Sequence, residues 1–240
     1  MESLHLTEDA WLGERLGKPA FHLSGCLGAS NLGWDRIIER LSSGPVFVDA
    51  KIPVDDLAAG MALQAAGFFL IDTNLRFVLP RTMVPVASTS VSVSFARPDM
   101  AGEVAALASN VFVYDRFHRD LKIDHATASA IKGEWAWNFF TGKRGEWMVV
   151  ACVDGRVAGF LQLLRSQADE LVVDLIAVDV AYQGQGLASA MIAFAADQCD
   201  PAGPVVVGTQ VANLPSVRFY EKLGFRLAGA QYVYHFHGVE

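Results

Sequence analysis

The chain has 240 residues, a formal net charge of −7 and 52% apolar content. That apolar content supports a sizeable core and excludes global disorder. The acidic balance leaves no basic stripe for phosphates and argues against a nucleic-acid partner. No apolar run reaches the roughly 18 residues a membrane span needs, so no membrane partner is expected.

The N-terminal segment from Met1 to His5 lacks the basic-then-apolar pattern of a secretory signal. Trp34–Leu41 reads as a short helix and Val46-Phe47-Val48 as a buried strand. Asp55-Asp56 caps a helix that runs to Ala66 and stops at Gly67, and Phe68–Leu79 reads as extended chain. The stretch from Pro80 to Pro85, with Ser88, Thr89 and Ser90 behind it, reads as a linker. It divides the chain into expected domains over residues 1–85 and 91–240. The second opens with a strand at Val91–Phe95 and a helix from Pro98-Asp99 to about Phe112. Tyr114–Asp124 is charged and aromatic without a helical stripe, hence a loop, and a helix covers about Ala126–Phe140. Trp147–Val153 and Arg156–Leu164 are strands joined by the strong turn Asp154-Gly155. Strand Glu170–Val178, a glycine loop, a helix to about Cys199, strand Val205–Thr209, helix Pro215–Leu223 and strand Phe225–Phe236 complete the chain. Alternating strands and helices around one antiparallel hairpin imply a mixed sheet in an α/β layered domain.

The halves resemble one another. Val48–Leu79 reads strand, capped helix, Ala66-Gly67-Phe68, strand; Val207–His235 reads strand, helix, Leu223-Gly224-Phe225, strand. The first copy has no glycine loop, and Leu63 falls where the second has Tyr220. Cys26, Cys152 and Cys199 are scattered, form no metal spacing or disulfide framework, and fit reduced thiols in a cytoplasmic protein. The histidines show no ligand pair at helical spacing; His235 and His237 alternate on the last strand, and no metal is assigned.

The chemistry concentrates at Gln183-Gly184-Gln185-Gly186-Leu187-Ala188, between a strand and a helix. Glycines admit positive φ and close backbone approach, and free N–H groups of a first helical turn converge on an anion. No Lys-Ser/Thr follows, which excludes a nucleotide triphosphatase loop. On glycine spacing alone, a purely structural tight turn and a pyrophosphate cradle both stand. Asp174, by period-two counting, shares a strand face with Ile176 and Val178. There it is open both as a proton acceptor through water and as a structural carboxylate. Tyr220 is open as a core residue on a stripe with Val217 and Leu223, and as an acid.

The loop resembles motif A of the GNAT superfamily, Arg/Gln-x-x-Gly-x-Gly/Ala, through Gln183, Gly186 and Ala188. Asn213 to Phe225, with Ser216, Tyr220 and Gly224, resembles its motif B, and Asp174–Val178 its fourth strand. The resemblance covers about Val91–His235. It implies a GNAT fold, a mixed and mostly antiparallel sheet flanked by helices, preceded by a smaller degenerate GNAT-like half-domain. A narrower resemblance is to the dTDP-fucosamine acetyltransferases and related enzymes acting on nucleotide-linked amino sugars. It rests on Thr209-Gln210, Asp115-Arg116-Phe117, Trp135 with Asn138, and Ala50-Lys51-Ile52.

The resemblance implies an acyl-CoA-dependent N-acyltransferase using acetyl-CoA or another short acyl-CoA. Ala177, Val178, Gln183, Gly184, Gln185, Gly186, Leu187, Ala188, Asn213 and Ser216 are the expected cofactor contacts. Tyr220 is the expected general acid, with Asp174 the candidate base. Arg116, Trp135, Asn138 and Gln210 are the expected contacts of a nucleotide-sugar acceptor. Arg116 is equally open as a solvated loop arginine, and Trp135 as a core aromatic. A homodimer is expected by resemblance. Transfer to another small amine (amino acid, polyamine or antibiotic) and an inactive CoA-binding module are the competing expectations.

Overall fold

The computed structural model describes residues 4–25, 34–41, 44–84 and 91–238. Cys26, Pro85 and the Ser88-Thr89-Ser90 part of the expected linker lie outside the described residues. The N-terminal half contains β1 (His5–Glu8), α1 (Ala10–Leu16), β2 (Ala20–Ser24), α2 (Trp34–Leu41), β3 (Phe47–Pro53), α3 (Leu57–Ala65) and β4 (Phe69–Leu79). The second half contains β5 (Ser92–Phe95), α4 (Ala101–Val111), α5 (His125–Phe140), β6 (Trp147–Val153), β7 (Arg156–Arg165) and β8 (Leu171–Val178). It continues with α6 (Leu187–Gln198), β9 (Val205–Gln210), α7 (Leu214–Lys222) and β10 (Arg226–His237). Helix starts follow side-chain caps: Asp9, Asp56, Asp124 and Asn213 each accept a backbone N–H of the first turn of α1, α3, α5 and α7. The β6–β7 turn has Asp154 at φ 50° and Gly155 at φ 77°, the two positive angles a tight hairpin turn of this kind needs. β1, α1 and β2 are elements that the periodicity did not announce.

Among the described residues, ten strands form one sheet, in the order β1-β2-β3-β10-β4-β9-β8-β7-β6-β5. The halves are not side by side in it. β10 pairs antiparallel with β3 on one edge and with β4 on the other. The sheet is mixed, with β2–β3 and β8–β9 parallel. Helices cover both faces. α6 packs over β6–β9 through Leu187, Met191 and Ala195, and α2 and α3 over β3 and β10 through Ile37, Leu41, Ala59 and Leu63. On the opposite face α4 and α5 cover β6–β8, and α1 joins α5 around Phe47, Phe117 and Ile131. Burial of these side chains contributes about 1.5–3 kcal/mol each before entropy is counted.

The β8 strand breaks its own alternation. Gln162 of β7 faces Leu175, and the next residue, Leu163, faces Val173, so Asp174 is an extra residue, a bulge. Leu171 and Val173 therefore join the core under α6, while Leu175 and Ala177 join the one under α4 and α5. Asp174 does not share a face with Ile176 and Val178 as period-two counting expects. Those two pack toward α6, whereas Asp174 bonds to Trp135 of α5.

Candidate active site

β8 and β9 run parallel but pair only at Leu171–Val205, Val172–Val206 and Val173–Val207. Beyond the bulge they have no mutual register, although β8 continues to Val178 and β9 to Gln210. The sheet is therefore open at its middle, with backbone groups of β8 unpaired on the β9 side. The glycine loop follows directly. Asp179 turns the chain by accepting the Ala181 N–H at 2.9 Å. Gln183 braces the loop by donating to the Val178 carbonyl at 3.2 Å, and Gln185 by donating to that of Ala181 at 3.3 Å. Gly184 and Gly186 hold φ of 76° and 82°, and a Cβ built on either meets nothing within 4 Å. Left-handed backbone selects glycine at both positions, and the clear space before them leaves room for a ligand. Gly186 is also the N-cap of α6 and supplies no side-chain cap, so the first N–H groups of Leu187 and Ala188 have no intrahelical acceptor. This geometry could hold a pyrophosphate: open space before the two glycines, first-turn N–H donors and the positive end of a twelve-residue helix.

Ala177 and Val178 stand at the end of β8, facing Phe160 and Gly159. Asn213 caps α7 by accepting the Ser216 N–H at 3.2 Å. Tyr220 is 2% exposed on that helix, its ring against Phe77, Phe219 and Phe225. Burial pushes the phenol far above its ordinary value, so it stays protonated.

Across the sheet, a cavity of 240 Å³ lies between the halves. It brings together Arg116, Trp135 and Asn138 of the expected acceptor contacts. Gln210 is not in its lining; it stands on β9 in register with Asn74 of β4 and Gln231 of β10, on the same side of the sheet. Asp174 sits behind the cavity wall, engaged by four donors. Arg144 reaches it from Nε and Nη2, both at 2.7 Å, Trp135 Nε1 at 2.9 Å and Gln162 Nε2 at 3.1 Å. Arg116 ion-pairs with Asp49 at 2.6 Å and lies 4.6 Å from the Phe117 ring centroid. Burial raises the Asp49 carboxyl, but Arg116 and the His22 hydrogen bond outweigh it and hold the group well below the usual carboxylate range.

Asp9, Phe117, Trp11 and Leu12 of α1, and Lys143 and Arg144 after α5 complete the lining; Trp11, Leu12, Lys143 and Arg144 were not expected from sequence. The Asp9 cap and the basic pair inside Gly142-Lys143-Arg144-Gly145 were signals for them, but nothing local connects the two.

The 114–124 loop is pinned by carboxylates. Asp115 accepts the Phe117 N–H at 3.0 Å and pairs with His118 Nδ1 at 2.5 Å, and the Lys132 ammonium is 3.9 Å away. Asp120 Oδ2 accepts from His235 Nδ1 at 2.7 Å and His237 Nε2 at 2.8 Å, fastening the loop to β10. These three residues offer ligand-type atoms within 4.8 Å of one another. Their contacts are hydrogen bonds to one shared oxygen.

The architecture is the GNAT fold. Residues 111–225 match the family described as Acetyltransferase (GNAT) family. The chain is similar to the spore coat polysaccharide biosynthesis protein SpsD of Bacillus subtilis (strain 168), 27% identical over 192 residues. That match covers 79% of this chain and 66% of that protein, just under two thirds of its length. Among solved structures it resembles a conserved protein of unknown function from Staphylococcus epidermidis ATCC 12228 (TM-score 0.66, 10% identity, 92% of this chain and 86% of that one). It also resembles a tandem GNAT protein from the clavulanic acid biosynthesis pathway (TM-score 0.63, 14% identity, 93% and 77%). The two solved structures speak for the fold. No helix among the described residues is long and apolar enough to cross a membrane.

Proposed function

We propose that the chain transfers an acyl group, acetyl by preference, from coenzyme A to the amino group of a nucleotide-linked deoxysugar. The observation that carries the acyl-transfer reading is the opening between β8 and β9 directly ahead of the Gly184–Gly186 turn. In this reading the turn and the first N–H groups of α6 hold the pyrophosphate, and unpaired backbone of Ala177 and Val178 aligns the thioester arm. An N–H there polarises the thioester carbonyl, an oxyanion-type effect. The amine attacks the carbonyl carbon, a C–N bond forms, the C–S bond breaks, Tyr220 gives its proton to the departing sulfur, and the proton lost by the amine nitrogen passes to water, from which the phenol is reprotonated. Holding the amine beside the thioester supplies much of the acceleration. Asp174 acts by position: its two oxygens already accept four hydrogen bonds, and through Trp135 and Arg144 it fixes the wall of the acceptor pocket. Residues 91–240 form the catalytic part and 1–85 a degenerate half-domain that closes the acceptor side.

The sugar class is supported by a pocket that combines Arg116, Arg144 and Lys143 with two indoles, a chemistry suited to a diphosphate flanked by rings. It is also in keeping with the polysaccharide pathway in which the relative is named. Thiol release from acetyl-CoA, measured over a panel of nucleotide-linked amino sugars and simple amines, tests both steps. Turnover with an amino sugar is expected; turnover with simple amines alone would overturn the sugar class, and no turnover at all the enzyme reading. A homodimer, proposed from the same resemblance, is checked by light scattering.

A further inference from the structure

We infer that Asn74, on β4 of the N-terminal half, is the residue that holds the acceptor amine beside the thioester. The inference rests on the acyl-transfer reading for the reaction, but its own evidence is the surface where β8 and β9 part. Gly208 is the first residue of β9 past the last pair with β8, Val173–Val207, and it is exposed. It is not one of the glycines with positive φ, so its backbone does not demand glycine. A Cβ at this position would stand 3.3 Å from both Nδ2 and Oδ1 of Asn74. The Asn74 carboxamide therefore lies over the Gly208 backbone, and a glycine inside a strand marks such a close approach. Asn74 is half-buried, and its side chain makes no hydrogen bond among the described residues.

This face of the sheet is the acceptor side. Asp72, two residues back along β4, ion-pairs with Arg119 of the 114–124 loop at 2.9 Å, and Arg116 of the same loop lines the cavity. Leu75 and Phe77 alternate with Asn74 and pack into the core under α6 on the other face. Asn74 stands in register with Gln210 of β9 and Gln231 of β10, a row of three carboxamides without side-chain hydrogen bonds among the described residues. A carboxamide suits the chemistry. Only the neutral amine has a lone pair to attack with, and Oδ1 accepts one of its N–H groups without favouring the ammonium, as a carboxylate would. The charged neighbours on this face agree: Asp72 is paired with Arg119, Arg76 with Glu170 at 2.6 Å, and exposed Lys51 stands across β10 on β3. Asn74 takes part in no bond change. It accepts one N–H of the amine, the other proton leaves to water as the C–N bond forms, and the accepted N–H becomes that of the product amide.

The test is steady-state thiol release from acetyl-CoA by the full chain, with the amine of the panel that the wild type acetylates fastest, and thermal midpoints measured beside it. Asn74→Ala is expected to lower kcat/KM for the amine about tenfold, the loss of one hydrogen bond, and to leave the acetyl-CoA KM unchanged. Asn74→Asp is expected to move the acid limb of kcat to higher pH by about one unit, because the carboxylate stabilises the bound ammonium. A merely structural residue would leave that limb in place. Gly208→Ala crowds the carboxamide at a position where alanine suits the strand. It is expected to lower kcat/KM for the amine at an unchanged or higher thermal midpoint, which keeps the inference testable if the Asn74 variants fold poorly. Wild-type kcat/KM in Asn74→Ala or in Gly208→Ala, or an unmoved acid limb in Asn74→Asp, overturns the inference and leaves the acyl-transfer reading standing. No thiol release by the wild type with any amine overturns that reading, and this inference with it.

Discussion

Arg144 and Asp174 meet in a two-point ion pair, both contacts at 2.7 Å, and this pair ties the segment after α5 to the bulge of β8. The pair is bidentate, the geometry in which a guanidinium and a carboxylate match best. Asp174→Asn puts an amide donor against the guanidinium or against the Trp135 and Gln162 N–H groups. It is expected to lower stability by about 2 kcal/mol, read as a fall in the thermal midpoint. The acceptor KM should rise, with the acetyl-CoA KM unchanged. A variant with wild-type acceptor kinetics would remove Asp174 from any role in shaping the pocket.

Gly186 offers a sharper test of the proposed cofactor cleft. Its φ of 82° penalises any Cβ, yet a Cβ there meets no neighbour. Gly186→Ala should therefore cost about 1 kcal/mol of stability through the backbone alone. Because the same angle aims the first N–H groups of α6, acetyl-CoA affinity should fall at least tenfold by titration.

Tyr220→Phe should leave the fold and acetyl-CoA affinity nearly intact and cut kcat by about a hundredfold, the lower range for a lost proton donor. Burial raises the phenol above its ordinary value near 10. The rate of the wild type should therefore show no alkaline loss from this group up to about pH 10. An alkaline limb below that pH that vanishes in Tyr220→Phe would contradict the assignment of its protonation state.

The Asp120–His235–His237 set predicts a pH dependence of stability. Burial lowers the His235 imidazole to about 4 although the Asp120 bond opposes it. The folded pKa thus lies below the ordinary value near 6.5, so unfolding takes up a proton between those two pH values. Stability should be fully present above about pH 6.5 and fall as pH drops toward 4, by at most about 1.4 kcal/mol per pH unit from this group. Asp120, held low by its two histidine partners against the effect of burial, adds a loss below the usual carboxylate range. Denaturant melts from pH 4 to 8 on the wild type and on His235→Gln check this; the variant should lose most of the slope above pH 4.

What the sequence disclosed was local chemistry. The glycine loop was legible because left-handed backbone and helix N–H groups require glycines there, and the β6–β7 hairpin because Asp154-Gly155 matches its turn. Asp174 was misplaced on its strand because one inserted residue reverses alternation without leaving a mark in composition. Trp11, Lys143 and Arg144 escaped notice for a different reason. They meet only after α1 packs on α5, a contact between segments more than a hundred positions apart that no periodicity encodes. β1 and β2 are short strands whose alternation is too brief to stand out beside the stronger patterns that follow.

β10 fills the slot between β3 and β4. On the ribosome, those two strands emerge long before residues 226–237 are made. Until then, each presents an unpaired edge to solvent or to a neighbouring nascent chain. The zipper that closes the sheet is therefore a late event, joining strands far apart in the chain, a topology that slows folding. A ribosome stalled before Arg226 would hold an open-edged chain, a natural client for a chaperone, and overexpression should be limited by that window rather than by the stability of the finished protein.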